Sequence, residues 1–239
     1  MTAPAREDGA PWRNFYGRRK GKKLRPGRRD LLDARLADLA PPGVGWDENP
    51  ERRPLDLAAL FPGAEDVWLE IGFGAGEHMA ATAAAHRDVG IIGCEPFVNG
   101  VAALLAAIER DALSNLRVHA GDARDLLDVI PDGALGRVYL LYPDPWPKRR
   151  HWRRRFVSRG NLDMLARVMR PGAELRIATD IDDYVRHTLE HLTARADFEW
   201  LAERPADWRA AWAGWPGTRY EAKALREGRR PTYLRFRRV

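Results

Sequence analysis

The segment Tyr142-Pro143-Asp144-Pro145-Trp146-Pro147-Lys148 holds the residues best suited to chemistry. Three alternating prolines fix φ and push the residues before them toward extended conformations, so the loop is stiff. A stiff loop holds the Asp144 carboxylate and the Trp146 indole in fixed geometry. A nucleobase requires that pair: an acceptor for its donor edge and a face for stacking. The run Lys148-Arg149-Arg150-His151-Trp152-Arg153-Arg154-Arg155 follows at once. Its cations suit phosphates and its aromatics suit stacking. Read singly, the loop is equally a rigid turn around a buried tryptophan, and the run a solvated face. Their adjacency shifts the reading toward nucleic acid.

A second constellation, Gly72-Phe73-Gly74-Ala75-Gly76, follows an apolar run and opens an alanine-rich helical stretch, 77–86. Gly72, Gly74 and Gly76 allow a tight turn and close approach of a ligand to the backbone. Such a turn is also simply a tight connection in α/β chains. The dinucleotide fingerprint G-x-G-x-x-G needs a glycine at 77, where Glu77 stands. A pyrophosphate at that helix start would face a carboxylate. S-adenosylmethionine carries instead a sulfonium cation, an ammonium group and a ribose diol, all suited to acids. Glu70 is expected beside the methionine portion, directly or through water. Glu95 is expected to accept from the ribose hydroxyls. Asp122 would meet the adenine amino group, with the Ala123 amide facing the ring. An NAD-dependent oxidoreductase also places an acid about 20 residues downstream, so Glu95 does not separate the two. Glu77 and Asp122 favour S-adenosylmethionine.

The elements that must position these residues follow from periodicity. Apolar runs at 67–71, 89–95, 116–119, 137–142 and 174–178 alternate with helical patterns such as 97–110. Strands separated by helices imply βαβ units, a mainly parallel sheet covered on both faces, and ligands at the strands' carboxyl ends. An acid stands at or just after the end of each run: Glu70, Glu95, Asp122, Asp144 and Asp180. Five acids on one rim suit a cationic or hydroxyl-rich ligand. Trp200, Trp208, Trp212 and Trp215 are expected to pack a C-terminal layer.

The chain has 239 residues with 45% hydrophobic and 31% charged side chains, which excludes wholesale disorder. A basic flexible arm is expected over 1–29, and a single domain over 30–239 whose first helix covers about 30–39. The net charge is +6 overall. Residues 1–29, 145–159 and 218–239 carry +8, +7 and +6, leaving −15 on the remainder. Basic charge gathered into segments of an acidic body is a polyanion footprint. No apolar stretch is long enough to cross a bilayer and no signal peptide is evident, so no membrane partner is expected. A lone cysteine, Cys94, excludes an internal disulfide and fits a reducing, cytoplasmic compartment. No obligate protein partner is expected, and monomer and homodimer stay open. His187-Thr188-Leu189-Glu190-His191 has a zinc-protease spacing. With no distant third ligand evident, no metal site is expected.

The run Leu69 to Gly76, the loop Tyr142 to Lys148, Ala178-Thr179-Asp180 and Thr218-Arg219-Tyr220-Glu221 together resemble the tRNA (guanine-N7-)-methyltransferase family, over about residues 60–239. The resemblance implies an α/β, Rossmann-like class I methyltransferase fold. Its seven-stranded, mostly parallel sheet would carry helices on both faces and end in an antiparallel strand near 231–238. The resemblance further implies methyl transfer from S-adenosylmethionine to N7 of a tRNA variable-loop guanosine, position 46 in standard tRNA numbering. It carries cofactor binding onto Glu70, Glu95, Asp122 and Asp144, and substrate binding onto Lys148, Asp180, Thr218, Arg219, Tyr220 and Glu221. Asp144 is also the implied catalytic residue. The chain departs from the family pattern at Cys94, where isoleucine is usual, at Ala224, often glycine, and at Tyr233, often aspartate.

Guanine N7 has an in-plane lone pair and no proton, so its alkylation needs no general base. Catalysis is then positioning and electrostatics. Asp144 is expected to accept from guanine N1–H and the exocyclic amine, with Asp180 or Glu221 assisting. A methyltransferase for exocyclic adenine amines also uses an Asp-Pro loop, but with Pro-Pro-aromatic, which Pro145-Trp146-Pro147 interrupts. A non-catalytic RNA-binding protein on a degenerate fold is disfavoured because the whole cofactor set is present.

Overall fold

The computed structural model describes residues 13–239. The first helices are α1 (Pro26–Leu39) and α2 (Leu57–Leu60). Alternation then begins with β1 (Asp66–Ile71), α3 (Glu77–Ala85), β2 (Val89–Cys94), α4 (Val98–Arg110), β3 (Leu116–His119), α5 (Ala123–Leu127) and β4 (Leu135–Leu141). A 3-10 turn, Arg149–Arg154, leads to α6 (Arg159–Val168), β5 (Met169–Thr179), α7 (Asp182–Leu192) and β6 (Phe198–Trp200). The chain closes with α8 (Ala206–Arg209), α9 (Arg219–Arg226) and β7 (Thr232–Arg238).

The seven strands form one sheet in the order β3-β2-β1-β4-β5-β7-β6. Strands β1 to β5 pair in parallel, and β7 runs antiparallel to both β5 and β6. The expected architecture is present, with β6 a strand that no apolar run announced. Every residue of β2 is buried, as an interior parallel strand covered on both faces requires. Period-two alternation sorts side chains between two cores. Leu69, Ile71, Val138 and Leu140 join Leu126, Leu162 and Tyr184 from α5, α6 and α7. Trp68, Tyr139 and Leu141 join Leu39, Met79 and Leu104 from α1, α3 and α4. The strand order reverses between β1 and β4, and a crevice opens at their carboxyl ends, where open α/β sheets bind ligands.

Two expectations change at the N-terminus. The first helix begins at Pro26, earlier than 30, because proline is pre-set for a first helical turn. The described part of the expected arm, 13–25, lies against the domain. Arg13 reaches both Asp128 oxygens at 2.6 and 2.7 Å, the Val98 amide donates to the Arg19 carbonyl at 3.0 Å, and Asn99 on α4 bonds Gly21 and Lys22. Charge counting reads this segment as free because partners distant in sequence are invisible to it. Residues 1–12 of the arm lie outside the described residues.

Trp200 packs on Trp208 with ring centroids 5.3 Å apart, and Trp212 on Trp215 at 4.9 Å, both pairs against the cores as expected. No helix among the described residues is long and apolar enough to cross a membrane.

Candidate active site

A cavity of about 660 Å³ occupies the crevice between β1 and β4. That is the size of an ordinary small-ligand site. Gly72, Gly74, Glu95, Asp122, Ala123 and Asp144 line it, joined by Asn14 to Arg18 from the N-terminal segment and by Arg219 and Tyr220 from α9. Sequence reasoning missed the N-terminal lining, since nothing local in those residues announces a cavity wall.

The glycine turn forms because β1 must reverse sharply into α3. Gly72, Gly74 and Gly76 have φ of +72°, +61° and +81°, a region open to glycine. The turn is held from the side: the Gly74 amide donates to Glu95 Oε2 at 2.8 Å, and the Phe97 amide to Glu95 Oε1 at 2.9 Å. Glu95 is 8% exposed, and burial pushes its carboxyl above the ordinary range despite those bonds. Each oxygen keeps a lone pair for a diol. Gly76 caps α3 but does not line the cavity.

Gly100, on the first turn of α4, was missed by sequence reasoning. A β-carbon there would lie 2.0 Å from the Gly74 carbonyl oxygen. The available signal was a glycine inside a helical pattern, which marks close packing.

Asp122 caps α5 by accepting from the Arg124 amide at 2.9 Å, and its carboxylate also holds the Arg124 guanidinium. Burial would raise its pKa, but the Arg124 side chain and amide outweigh that and hold it below the usual range. Arg124 in turn donates to the Asn14 carbonyl at 3.0 Å, so this end of the cavity is closed by the N-terminal segment.

Asp144 is the acid left open. Among the described residues it makes no hydrogen bond and no ion pair. Its outer edge faces solvent, yet the surrounding loop desolvates it enough to push the carboxyl above the ordinary aspartate range. The loop itself is not extended throughout. Tyr142 and Trp146, each preceding a proline, have φ of +49° and +42°. Expectation and structure differ because β4 stays hydrogen-bonded to its end, the Tyr142 amide donating to the Ala178 carbonyl at 2.7 Å, so the chain must then turn abruptly. Left-handed residues of this size cost on the order of 1–3 kcal/mol each. The strain turns Tyr142 onto Tyr220, centroids 6.4 Å apart at 22°, and Trp146 toward the cavity. The Arg154 guanidinium lies 4.9 Å from Trp146 and 4.4 Å from Tyr16, uniting loop, 3-10 turn and N-terminal segment.

The remaining expected site residues stand elsewhere. Glu70 lies on the face of β1 toward α3, 2% exposed, with Oε2 2.7 Å from His78 Nδ1. It does not line the cavity; the period-two alternation that carries Trp68 to this side carries Glu70 with it. His78 meets Tyr139 edge-on, ring centroids 4.7 Å apart, and lies tilted against Trp215 at 5.1 Å. Asp180 is engaged by Arg229 Nε at 2.5 Å, and Lys148 is exposed outside the cavity. Thr218 and Glu221 form a capping box on α9, a role their T-x-x-E spacing suits. Glu221 also accepts from Trp215 Nε1 at 2.7 Å and from the Tyr233 hydroxyl. Arg219 and Tyr220 alone of this group line the cavity, 3.4 and 3.2 Å from where a Gly74 β-carbon would stand. Arg219 Nε is 3.7 Å from Glu77.

Thr218→Ala removes one half of the box and is expected to destabilise the protein by ~1 kcal/mol. For a domain of this size that lowers Tm by roughly 2–4 °C. An unchanged melting curve would show that the cap contributes nothing. The histidines of the zinc-like spacing have backbone partners: His187 Nε2 with the Val157 carbonyl and His191 Nδ1 with the His187 carbonyl, both at 2.8 Å. No cluster of metal-ligating side chains occurs among the described residues.

A family model described as putative methyltransferase matches residues 64–234. A tRNA (guanine-N(7)-)-methyltransferase of Ruegeria sp. (strain TM1040) is 62% identical over 96% of this chain and 89% of its own length. One of Ruegeria pomeroyi is 61% identical over 96% of each chain, and one of Jannaschia sp. 58% identical over 99% and 98%. A solved 16S rRNA methyltransferase, KamB, superposes with a TM-score of 0.54 at 18% identity, covering 77% of this chain and 93% of its own. A [4+2]-cyclase, SpnF, reaches 0.50 at 18% identity over 76% and 78%. These two structures share the fold, yet one is a methyltransferase and the other a cyclase, so the fold alone says little about chemistry.

Proposed function

This chain belongs to the tRNA (guanine-N7)-methyltransferase family, and on that premise we propose that it methylates N7 of a guanosine in the tRNA variable loop, at position 46 in standard numbering, with S-adenosylmethionine as donor. The observation that carries this reading is the Asp144 carboxylate, which has no hydrogen-bond or ion-pair partner among the described residues and lines the cavity beside Trp146 on a rigid loop.

The lining fits the donor. Glu95 offers free lone pairs to a ribose diol, Gly72 and Gly74 admit close approach, and the Asp122–Ala123 turn bounds the far end of the cavity. Glu70 acts on the donor indirectly, by fixing α3 through His78 below the turn. S-adenosylmethionine, when bound, supplies an electrophilic methyl group. The chain's own residues bind and orient. Asp144 accepts from guanine N1–H and the exocyclic amine, a donor pair that adenine and cytosine lack. Trp146 supplies the stacking face. Asp180, which follows β5, and Lys148 are assigned to the substrate, and Arg219 and Tyr220 line the cavity over Gly74. Release of Asp180 from Arg229 frees it to assist. No general base is required, so rate comes from alignment and from a carboxylate in a partly desolvated site.

The exposed Lys20, Lys22, Lys23 and Arg25 before α1, and Arg149, Arg150 and Arg153 on the 3-10 turn, form the phosphate-binding surface. Affinity for tRNA is expected to fall steeply with salt, with a log–log slope set by the number of phosphates neutralised. Replacing Lys22 and Lys23 by alanine should flatten that slope; an unaltered slope would place them off the RNA path.

The direct test incubates the protein with labelled S-adenosylmethionine and unmodified tRNA transcript, followed by borohydride and aniline, which cleave at N7-methylguanosine. A cut in the variable loop is expected. Label transfer without a cut removes the N7 assignment, and tight binding without transfer leaves only an RNA-binding protein.

A further inference from the structure

The basic run Lys148–Arg155 is uniform in sequence but not in the structure. Arg149, Arg150 and Arg153 are exposed, whereas the Arg155 side chain is 0% exposed. Its Nε donates to the Pro145 carbonyl at 2.8 Å, and its Nη2 is paired with Asp183 in the first turn of α7. The guanidinium lies 4.7 Å from the ring of Trp152 and 5.5 Å from that of Tyr184. Its third nitrogen, Nη1, is buried with no hydrogen-bond partner among the described residues.

An incompletely satisfied buried charge is a poor source of stability; an apolar side chain of the same volume commonly does as well or better. What this one supplies is position. Pro145 stands between Asp144 and Trp146, so a single bond to its carbonyl holds both functional side chains. It also restrains a loop whose Trp146 sits in the left-handed region. Asp183 lies three residues after Asp180, so the same side chain ties the loop to the end of β5. Arginine is suited to this by its planar fork, which donates in two fixed directions at once; lysine keeps the charge but not the fork.

We infer that Arg155 is a positioning residue for methyl transfer: it clamps the Asp144–Trp146 loop to the start of α7 through the Pro145 carbonyl and Asp183, and it takes no part in gripping RNA. This rests on the function proposed above. Misplacement of a reacting group by about 1 Å costs on the order of 100-fold in rate.

The test compares wild type, Arg155→Lys, Asp183→Asn, the double variant and, as a reference, Asp144→Asn, by single-turnover methylation, KM for tRNA, tRNA binding and Tm. Arg155→Lys is expected to lose about 100-fold in kcat with KM and tRNA affinity within about twofold. Asp183→Asn is expected to lose less, and the double variant no more than Arg155→Lys alone, the non-additivity of one shared clamp. Weakened tRNA binding with kcat kept would make Arg155 an RNA-gripping cation and overturn the inference. A lowered Tm with both constants kept would make it mere packing and do the same. If Arg155→Lys fails to fold, Asp183→Asn still decides, since Asp183 is itself one-third exposed and wild-type kcat in that variant rules out the clamp to α7. An active Asp144→Asn would instead sink the role given to Asp144, whereas an inactive Asp144→Asn beside a fully active Arg155→Lys sinks the clamp alone.

Discussion

Asp144→Asn is expected to lower kcat for tRNA methylation by about 10²–10³-fold, the usual effect of removing one preorganised electrostatic group, while tRNA affinity stays within about twofold. The amide matches the carboxylate in shape, so the stiff loop and its Arg155 contact survive. What changes is the edge offered to guanine: an acceptor pair becomes one acceptor and one donor, and the donor faces N1–H or the exocyclic amine. Affinity is retained because it resides in the phosphate contacts. The pH profile gives a second signature. Partial desolvation raises the Asp144 carboxyl above the ordinary aspartate range, and the ionised form is the acceptor. The rate is therefore full above that raised pKa and falls as pH drops through it, at a higher pH than an ordinary aspartate would show. Asp144→Asn should lose this acid limb. Single-turnover transfer of labelled methyl across pH, with filter binding of tRNA, measures both; a wild-type rate in the variant would remove Asp144 from the chemistry.

Gly100→Ala is the second large effect, and two contributions of opposite sign meet there. Alanine in place of a helical glycine favours the helix by ~1 kcal/mol. Against that, the new methyl would stand 2.0 Å from the Gly74 carbonyl oxygen and 3.3 Å from Glu95 Cγ. The first neighbour is backbone, within a turn whose φ values are restricted to glycine, so it cannot swing aside as a side chain does. Overpacking of this kind costs roughly 1–3 kcal/mol, and the clash wins. The start of α4 must withdraw from the glycine turn, carrying with it the Glu95 bonds to Gly74 and Phe97. The expected results are a Tm lower by several degrees, at roughly 2–4 °C per kcal/mol, and donor affinity reduced at least about tenfold. Thermal denaturation and calorimetric titration with S-adenosylmethionine read the two separately. A raised Tm would mean that α4 accommodates the methyl and that the close approach is dispensable.

How far such effects are legible without coordinates differs from residue to residue. The strands β1 to β5 were readable as apolar runs ended by glycine, proline or an acid, because these signals are local. β6, three residues long, has no such run. Asp144 and Trp146 were readable because prolines announce a rigid loop. The capping box at Thr218 and Glu221 was present in the spacing but read as substrate contact by resemblance. Its other partners, Trp215 and Tyr233, meet Glu221 only in the folded chain.

By itself, then, the sequence determined the α/β alternation, the glycine turn, the acids at the strand ends and the gathering of basic charge into segments. These depend on the residue type at each position and on the spacing to near neighbours. Tertiary structure alone decided which acids remain available. The alternation of β1 sends Glu70 down to His78, Arg229 occupies Asp180, Arg124 occupies Asp122, and Asp144 is left open. It alone turned Arg155 inward among arginines of identical composition and closed the cavity with residues 14–18. Those outcomes depend on which groups far apart in the chain compete for the same lone pair or the same buried volume, and that competition exists only once the sheet has assembled.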